Sequence, residues 1–184
     1  MSRYDCERAM INITFPDGNI KAFENPLSGL DVAQSISDGL ARNCVAMELD
    51  DQLVDLSFII DHDAKIRLIT SKDSEGLEIL RHSAAHVMAQ AILRVFPDAK
   101  LTIGPAVEDG FYYDIDMAPV SEDDFPKIEA EIKKIIKEKL PIQRREVPKA
   151  EALNFYKDEP YKLEMISDLD DGTISFYEQG EFTD

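Results

Sequence analysis

The sequence is poor in cysteine, in basic side chains and in long apolar runs. Its two cysteines, Cys6 and Cys44, have no C-x-x-C spacing, which excludes a disulfide framework and a cysteine-based zinc site. No apolar run approaches the roughly 18 residues of a membrane span, and residues 1–8 are too polar for a signal peptide. These absences predict a soluble, cytoplasmic protein with reduced thiols and no membrane partner.

Acidic residues dominate the charge. The chain has 20 Lys and Arg against 37 Asp and Glu, a net charge of -17. Because non-specific attraction to nucleic acid comes from Lys and Arg displacing counterions, this balance argues against an autonomous grip on DNA or RNA. Residues 127–149 nevertheless hold eight basic and four acidic side chains, whereas residues 158–184 hold nine acidic side chains and one base, Lys162. We expect a polyanion, if one binds, to meet the first segment; a solvated helix face is the alternative.

With 184 residues, 44% of them hydrophobic, the chain is long enough for two small domains with real cores. Residues 10–70 predict a hairpin, a helix after Ser28 that stops at Asp38 and Gly39, and further strands. That order fits a small mixed sheet with a helix across it, of the β-grasp kind. Polar residues 72–74 mark the boundary, which gives domains at 1–72 and 73–184.

The second domain begins with a long predicted helix over residues 75–96, stopped by a proline. A second predicted helix, over residues 121–140, requires Pro126 to lie in its first turn, because a proline further in would break it. The remaining predicted elements are strands at 101–103 and 110–115, a strand at 143–147, a short helix at 149–156 and a strand at 173–177.

Two histidines lie on the predicted long helix. His82 and His86 are four residues apart and therefore share a face, one turn apart, as two groups that converge on one ligand must. At about 100° per residue the helix has two apolar stripes almost opposite each other, and the histidines belong to the second. The first stripe contains Leu77, Leu80, Ala84, Val87, Met88, Ala91 and Val95, and the second contains Ile79, His82, His86, Ala89 and Leu93. We therefore expect the histidines to face protein or a cleft.

Three interpretations of the histidine pair stay open on this pattern. The pair could be a buried core feature, a metal site or a group for acid/base and water-positioning chemistry, for which imidazole suits neutral pH. The segment His82-Ser83-Ala84-Ala85-His86 lacks the glutamate that helical zinc proteases carry beside the first histidine. The remaining histidine, His62, lies in the other domain. Metal hydrolysis by this chain alone is therefore disfavoured.

The residues around the pair resemble a known family. Residues 75–91 (EGLEILRHSAAHVMAQA), the Ile103-Gly104-Pro105 turn and the aromatic segment 109–116 (DGFYYDID) closely resemble the amino-terminal editing domain of bacterial threonyl-tRNA synthetase. The front segment is similar to the TGS domain that precedes editing in that family; the related alanyl-tRNA synthetase editing domain has none. The resemblance implies an α+β chain: a β-grasp TGS domain over 1–72, then an editing domain over 73–184, built on the histidine-bearing helix and a mainly antiparallel sheet.

The resemblance also implies a reaction, hydrolysis of the ester in seryl-tRNA that carries the threonine anticodon. Serine lacks one methyl group of threonine, and a missing methylene gives a pocket only about 1–3 kcal/mol, or roughly 10–200-fold, of discrimination. A second site that cleaves the smaller product solves this problem. By the resemblance His82, His86 and Lys162 are catalytic, Tyr113 and Asp184 contact the substrate, no metal takes part, and the partner is the tRNA acceptor end.

In the family, a Cys-x-Gly-Pro-His motif follows the position of Asp184, and its cysteine and histidine complete the editing site. The resemblance thus predicts an amino-terminal fragment with a truncated editing domain, half an editing site and feeble or no hydrolysis of seryl-tRNA. ATP, magnesium, zinc and the homodimer contacts would belong to the missing catalytic and anticodon-binding regions, so no cofactor is expected in this chain.

A non-enzymatic binding module is the competing hypothesis. In it, the TGS part and the basic stretch at 133–145 contact RNA or a protein partner. A GTPase is disfavoured, because the sequence has no Gly-x-x-x-x-Gly-Lys-Ser/Thr phosphate loop. A metal hydrolase ranks third.

Overall fold

The computed structural model describes residues 10–24 and 26–184, so Cys6 and the polar start of the chain lie outside the described residues. The chain separates into two units, Met1–Leu80 and Arg81–Asp184. Both units combine helices with strands, which confirms the predicted α+β class.

The first unit is built on a five-stranded mixed sheet. Its elements are β1 (Met10–Thr14), β2 (Ile20–Glu24), β3 (Leu27–Ser28), α1 (Gly29–Ile36), α2 (Asp38–Asn43), β4 (Cys44–Leu49), β5 (Gln52–Val54), β6 (Ile59–Ile60) and β7 (Ala64–Thr70). The strand order is β2-β1-β7-β4-β5, with β1 parallel to β7 and the other pairs antiparallel. Val32 of α1 is buried in one core with Ile13 and Met47 of the sheet. This is the predicted β-grasp arrangement.

Serine side chains set the ends of the two short helices. The Ser28 hydroxyl accepts from the Asp31 N–H, and the Asp31 carboxylate accepts from the Ser28 N–H, which closes a capping box at the predicted start of α1. The predicted stop at Asp38 and Gly39 is wrong. The extended backbone of Ser37 ends α1, and the Ser37 hydroxyl caps α2, which begins at Asp38.

The turn between β4 and β5 has two consecutive residues in the left-handed region. Asp50 has φ 47° and Asp51 has φ 67°, as a two-residue hairpin turn of the I′ type requires. The Asp50 carboxylate also accepts from the Lys65 N–H at 2.8 Å. This hydrogen bond ties the turn to the neighbouring strand β7.

The second unit is assembled around a 22-residue helix. Its elements are α3 (Ser74–Val95, which begins within the first unit), β8 (Lys100–Leu101), β9 (Ala106–Val107), β10 (Gly110–Phe111), β11 (Ile115–Asp116), α4 (Phe125–Glu138), β12 (Gln143–Pro148), α5 (Lys149–Phe155), α6 (Pro160–Asp168), β13 (Thr173–Gln179) and β14 (Phe182–Thr183). Every strand pair described here is antiparallel, with β9–β10 and β8–β11 as separate pairs and β12–β13–β14 as a three-stranded sheet.

Both long helices predicted for the second unit form, and each has buried as well as exposed apolar residues. In α3 every member of the histidine stripe is buried or half-buried, with His86 at 7% and Ala89 at 0% exposure. The first stripe is mixed, since Leu80 is 45% exposed and Ala91 is buried. In α4, Pro126 lies in the first turn as predicted. Ile135 is buried but Ile136 is 62% exposed, because neighbouring residues lie about 100° apart on a helix and therefore point to different faces.

Three features of the second unit were not predicted. The strands expected at 101–103 and 110–115 are interrupted and form two-residue pairs. Helix α6 and strand β14 have no counterpart among the elements predicted from the sequence. Both contribute side chains or backbone to the candidate site.

Candidate functional site

Two imidazole rings on α3 are in direct contact. Nε2 of His86 lies 2.9 Å from Nε2 of His82, and the two rings meet nearly at right angles. A hydrogen bond between two imidazole nitrogens needs one proton, so one ring donates there and the other accepts. Nδ1 of His86 lies 3.2 Å from Oδ2 of Asp184, which is an ion-pair distance without hydrogen-bond geometry. The charge of the carboxylate still favours a proton on Nδ1 of His86, and His82 is then the donor to His86 Nε2.

Asp184 is the centre of this cluster. Its side chain is 8% exposed, and its carboxylate accepts a hydrogen bond from the Tyr113 hydroxyl at 2.7 Å and forms an ion pair with Lys162. Burial by itself would raise the pKa of Asp184, but His86, the charge of Lys162 and the Tyr113 hydroxyl together hold that pKa far below its usual range. The aspartate is therefore a buried, ionised group with three partners.

Tyr113 reaches Asp184 from the segment between β10 and β11. The neighbouring backbone is held by hydrogen bonds from the Thr102 N–H to the Asp114 carbonyl and from the Asp114 N–H to the Ile103 carbonyl. Gly104 lies directly against the Tyr113 ring, so that a Cβ there would fall 2.1 Å from a ring carbon. Burial and the charge of Asp184 raise the pKa of the Tyr113 phenol, which keeps it a hydrogen-bond donor.

Lys162 is presented by α6, the helix that sequence patterns missed. The Tyr161 hydroxyl donates to the Asp116 carboxylate at 2.7 Å, which ties α6 to β11. At the other end, the Lys149 ammonium donates to the carbonyls of Ser167 and Leu169, the groups that a helix end leaves unpaired. Lys162 is 15% exposed and also lies 3.5 Å from the Tyr113 hydroxyl.

Asp184 is delivered by the β13–β14 hairpin. Gly180, with φ 62°, makes the turn. After the turn, the chain pairs back on β13 through two backbone hydrogen bonds between Tyr177 and Asp184, of 2.8 and 3.0 Å. The side chain of Asp184 thereby points at α3 from a fixed strand position, and the Tyr156 hydroxyl donates to the adjacent Thr183 carbonyl.

Tyr177 is a site residue that sequence reasoning missed. Its ring centroid lies 5.3 Å from that of His82 and 5.4 Å from that of His86. The Phe182 ring lies 6.3 Å from His86. The alternation of β13 predicted a strand through Tyr177 but carried no signal that its ring meets the histidines.

The structure thus brings together every residue that was predicted for the site, namely His82, His86, Tyr113, Lys162 and Asp184. Their chemical roles stay predictions. No group of three or more His, Cys, Asp or Glu side chains suited to a metal ion occurs among residues 10–24 and 26–184. Within the same residues, no helix is long and apolar enough to cross a membrane.

Much of the basic segment at 127–149 is neutralised within the chain. Lys127 pairs with Asp124, Lys134 with Glu131, Arg144 with Glu146, and Arg145 with Glu151 and Glu178. The Lys149 ammonium donates to backbone carbonyls at the end of α6, as described above. In the described part of the chain, Lys133, Lys137 and Lys139 are the basic residues of this segment with neither an ion pair nor a carbonyl contact of this kind.

Comparison with known proteins defines the class of the first unit. The family model of the TGS domain matches residues 11–70, the same residues that form the five-stranded sheet and α1. The chain therefore carries a TGS domain, as predicted.

The relatives extend this result to nearly the whole chain. A threonine--tRNA ligase of Desulfatibacillum aliphaticivorans is 66% identical over 175 residues, 95% of this chain and 28% of the relative. The threonine--tRNA ligase of Desulforapulum autotrophicum is 63% identical over the same shares, and that of Clostridioides difficile is 53% identical over 179 residues, again 95% of this chain and 28% of the relative. The chain is homologous to the amino-terminal part of threonine--tRNA ligase, which confirms the predicted resemblance. It spans 28% of the length of these relatives.

Proposed function

We propose that the second unit contributes to an editing site that hydrolyses the ester of seryl-tRNA(Thr), within a protein that ligates threonine to tRNA. The proposal depends on one observation, the convergence of His82, His86, Tyr113, Lys162 and Asp184 in a single network. A tRNA partner and a cytoplasmic location accompany this proposal, since the relatives are named threonine--tRNA ligases.

The histidine pair supplies the proton chemistry in this proposal. With the charge of Asp184 3.2 Å from His86 Nδ1 favouring a proton on that nitrogen, the shared Nε2–Nε2 hydrogen bond is the exchangeable part of the pair. A water or substrate hydroxyl that displaces this bond meets an imidazole nitrogen able to accept its proton. Ester hydrolysis needs such a base, because water attacks an ester slowly unless its proton is removed in the transition state.

Lys162, Tyr113 and Asp184 supply charge and shape. An ester carbonyl gains negative charge as water adds, and a fixed ammonium or phenol donor stabilises that charge best where water is excluded. Lys162 is such a donor, because its ammonium has two further N–H groups beside the one directed at Asp184. The single O–H of Tyr113 is donated to Asp184 and orients that carboxylate. Asp184 and Tyr113 would also line the pocket for the aminoacyl group.

Deacylation of seryl-tRNA(Thr) tests the proposal. We would assay the 184-residue chain and an extended chain, in which it is joined to the segment that follows the matched region in the Desulfatibacillum relative. His82→Ala and His86→Ala should each lower the rate by roughly 10²–10⁴-fold, the usual contribution of a general base. Tyr113→Phe should also lower it, whereas Tyr112→Phe, at a neighbouring exposed tyrosine, should not. Full activity in the histidine variants would exclude the proposal.

Binding without catalysis is the second candidate function. Lys133, Lys137 and Lys139 are exposed and lie in the second half of α4 and just after it, where they could contact RNA phosphates. Charge reversal of Lys133 and Lys137 should then weaken tRNA binding and reduce its salt dependence, with His82→Ala unchanged. Reversal of Lys127 and Lys134, which are already paired with acids, is the matched control.

A further inference from the structure

Two buried glutamines lie beside the histidine pair without a role in the proposed reaction. Gln90 follows His82 and His86 at the same four-residue spacing and therefore continues their face of α3 by one turn. Gln90 is 3% exposed and Gln179 is 8% exposed. Among the described residues, these two and His86 are the buried polar ones.

The glutamines use their donors and leave their acceptors unpaired. Nε2 of Gln90 donates to the main-chain carbonyl of Gln179 at 3.3 Å, and Nε2 of Gln179 donates to the carbonyl of Leu140 at 3.1 Å. Within the described part of the chain, the Oε1 atoms of both glutamines are buried without a hydrogen-bond partner. A buried unpaired oxygen is unfavourable, so a leucine would be the simpler occupant unless the two donated bonds do something a leucine cannot.

Those bonds hold the hairpin that carries Asp184. Gln179 is the last residue of β13 and pairs with Phe182 across the turn. Asp184 returns to β13 through its two backbone bonds with Tyr177. The distance between Asp184 and His86 therefore depends on where β13 lies along α3, and Gln90 joins α3 to β13 one helical turn beyond His86.

We propose that Gln90 and Gln179 are positioning residues, which fix β13 at one register against α3 and so hold the Asp184 carboxylate at His86. The bond from Gln90 sets the hairpin against the histidine helix, and the bond from Gln179 holds the same strand end to Leu140, after α4. The effect on catalysis rests on the proposed editing function; the effect on Asp184 itself does not.

The first measurement needs no activity. In the 184-residue chain with 13C-labelled aspartate, NMR titration gives the pKa of the Asp184 carboxyl, which His86, Lys162 and Tyr113 hold low in the wild type. Gln90→Leu keeps the volume and removes the donor, so the pKa of Asp184 should rise toward the ordinary value of about 4. Ile92→Ala, at a 6% exposed residue of the same helix, is the control, because it should lower stability without moving that pKa.

The second measurement uses deacylation of seryl-tRNA(Thr) by the extended chain. A misplaced catalytic group costs up to about 100-fold in rate, so Gln90→Leu and Gln179→Leu should lower kcat with little change in KM. If the wild type itself does not deacylate while Gln90→Leu still raises the Asp184 pKa, the editing proposal fails and the positioning inference stands.

An unchanged Asp184 pKa in a folded Gln90→Leu chain would overturn the inference. If Gln90→Leu does not fold, Gln90→Asn replaces it. The asparagine side chain is one methylene shorter, so its amide cannot reach hydrogen-bond distance of the Gln179 carbonyl. The wild-type chain allows a further test of the inference without any variant. An NOE between the Gln90 side-chain amide and Gly180 is expected, and its absence would show that the glutamine does not hold the hairpin turn.

Discussion

The interiors of the two units differ in kind. The first unit has a single core of nine buried apolar residues, and all its described buried side chains are apolar. The second unit divides its apolar interior between two smaller clusters and buries His86, Gln90 and Gln179 beside them. Apolar packing stabilises a fold without directing any chemistry. Buried polar groups need hydrogen-bond partners, and each one that lacks a partner lowers the stability of the fold. The contrast places the buried polar groups in the unit with the less continuous core.

The largest expected effect comes from truncating the core of the first unit. Ile13 is fully buried, and Ile13→Ala should lower the free energy of unfolding by about 2–5 kcal/mol, since it removes buried methyl groups and leaves a cavity. Hydrogen exchange of the β1 and β7 amides measures the loss. Met10→Ala, on the same strand at a 55% exposed position, should change the free energy by less than about 0.5 kcal/mol.

The comparison also predicts where this effect stops. Amides of β13 in the second unit should keep their protection in Ile13→Ala, because their core residues belong to separate clusters. Equal loss of protection in both units would mean that the two interiors are not independent.

A smaller effect is expected beneath the site. Gly104→Ala would place a Cβ 2.1 Å from the Tyr113 ring, so the ring must move, at an expected cost of about 1–3 kcal/mol to the second unit. The Tyr113–Asp184 hydrogen bond should weaken with it, which the Asp184 titration described above would detect. Gly110→Ala meets no atom within 4 Å and is the matched control. If the pKa of Asp184 in Gly104→Ala stayed as low as in the wild type, Tyr113 would not be fixed by this contact.

The smallest effect concerns pH and the surface of the first unit. His62 is exposed and lies 2.8 Å from Asp61 and 3.1 Å from Asp50, and hydrogen bonds to these carboxylates raise its pKa. A raised folded-state pKa stabilises the fold fully below the unfolded value of about 6.5 and no longer does so once the pH rises through the folded value. The Tm of the chain should therefore fall slightly from about pH 6 to about pH 9.

His62→Asn tests this assignment. The variant should lose the part of the pH dependence that is due to the imidazole, and its Tm difference between the two pH values should shrink. An unchanged difference would assign the effect to another group.

Sequence patterns predicted the parts of the fold that are long and periodic. The β1–β2 hairpin, the start of α1 after Ser28 and the long helix α3 all follow from local residue order. Two-residue pairs such as β3–β6 and β8–β11 have no period to detect, and the stop at Ser37 depends on a backbone conformation that neighbouring residues do not dictate.

The site was less accessible to spacing arguments. The histidine pair follows from the helix period, but Tyr113, Lys162 and Asp184 entered through family resemblance, because no local pattern joins residues from three separate elements. Tyr177, Gln90 and Gln179 were not assigned at all, since their significance lies in how β13 meets α3. The basic segment at 127–149 shows the converse: its composition suggested an external partner, and half of its bases are held by acids of the same chain.

The sequence separation of the site residues has a consequence for biosynthesis. Tyr113 and Asp184 are 71 residues apart, and Lys162 and Tyr113 are 49 apart. At about 5–20 residues per second, a ribosome needs roughly 5–20 s to travel from His86 to Asp184. During that interval all strands of the first unit have been synthesised, whereas Asp184, the partner of His86, has not. The first unit is therefore synthesised before the cluster around Asp184 can form, and the histidine face of α3 lacks its strand partners until the β13–β14 hairpin has been made.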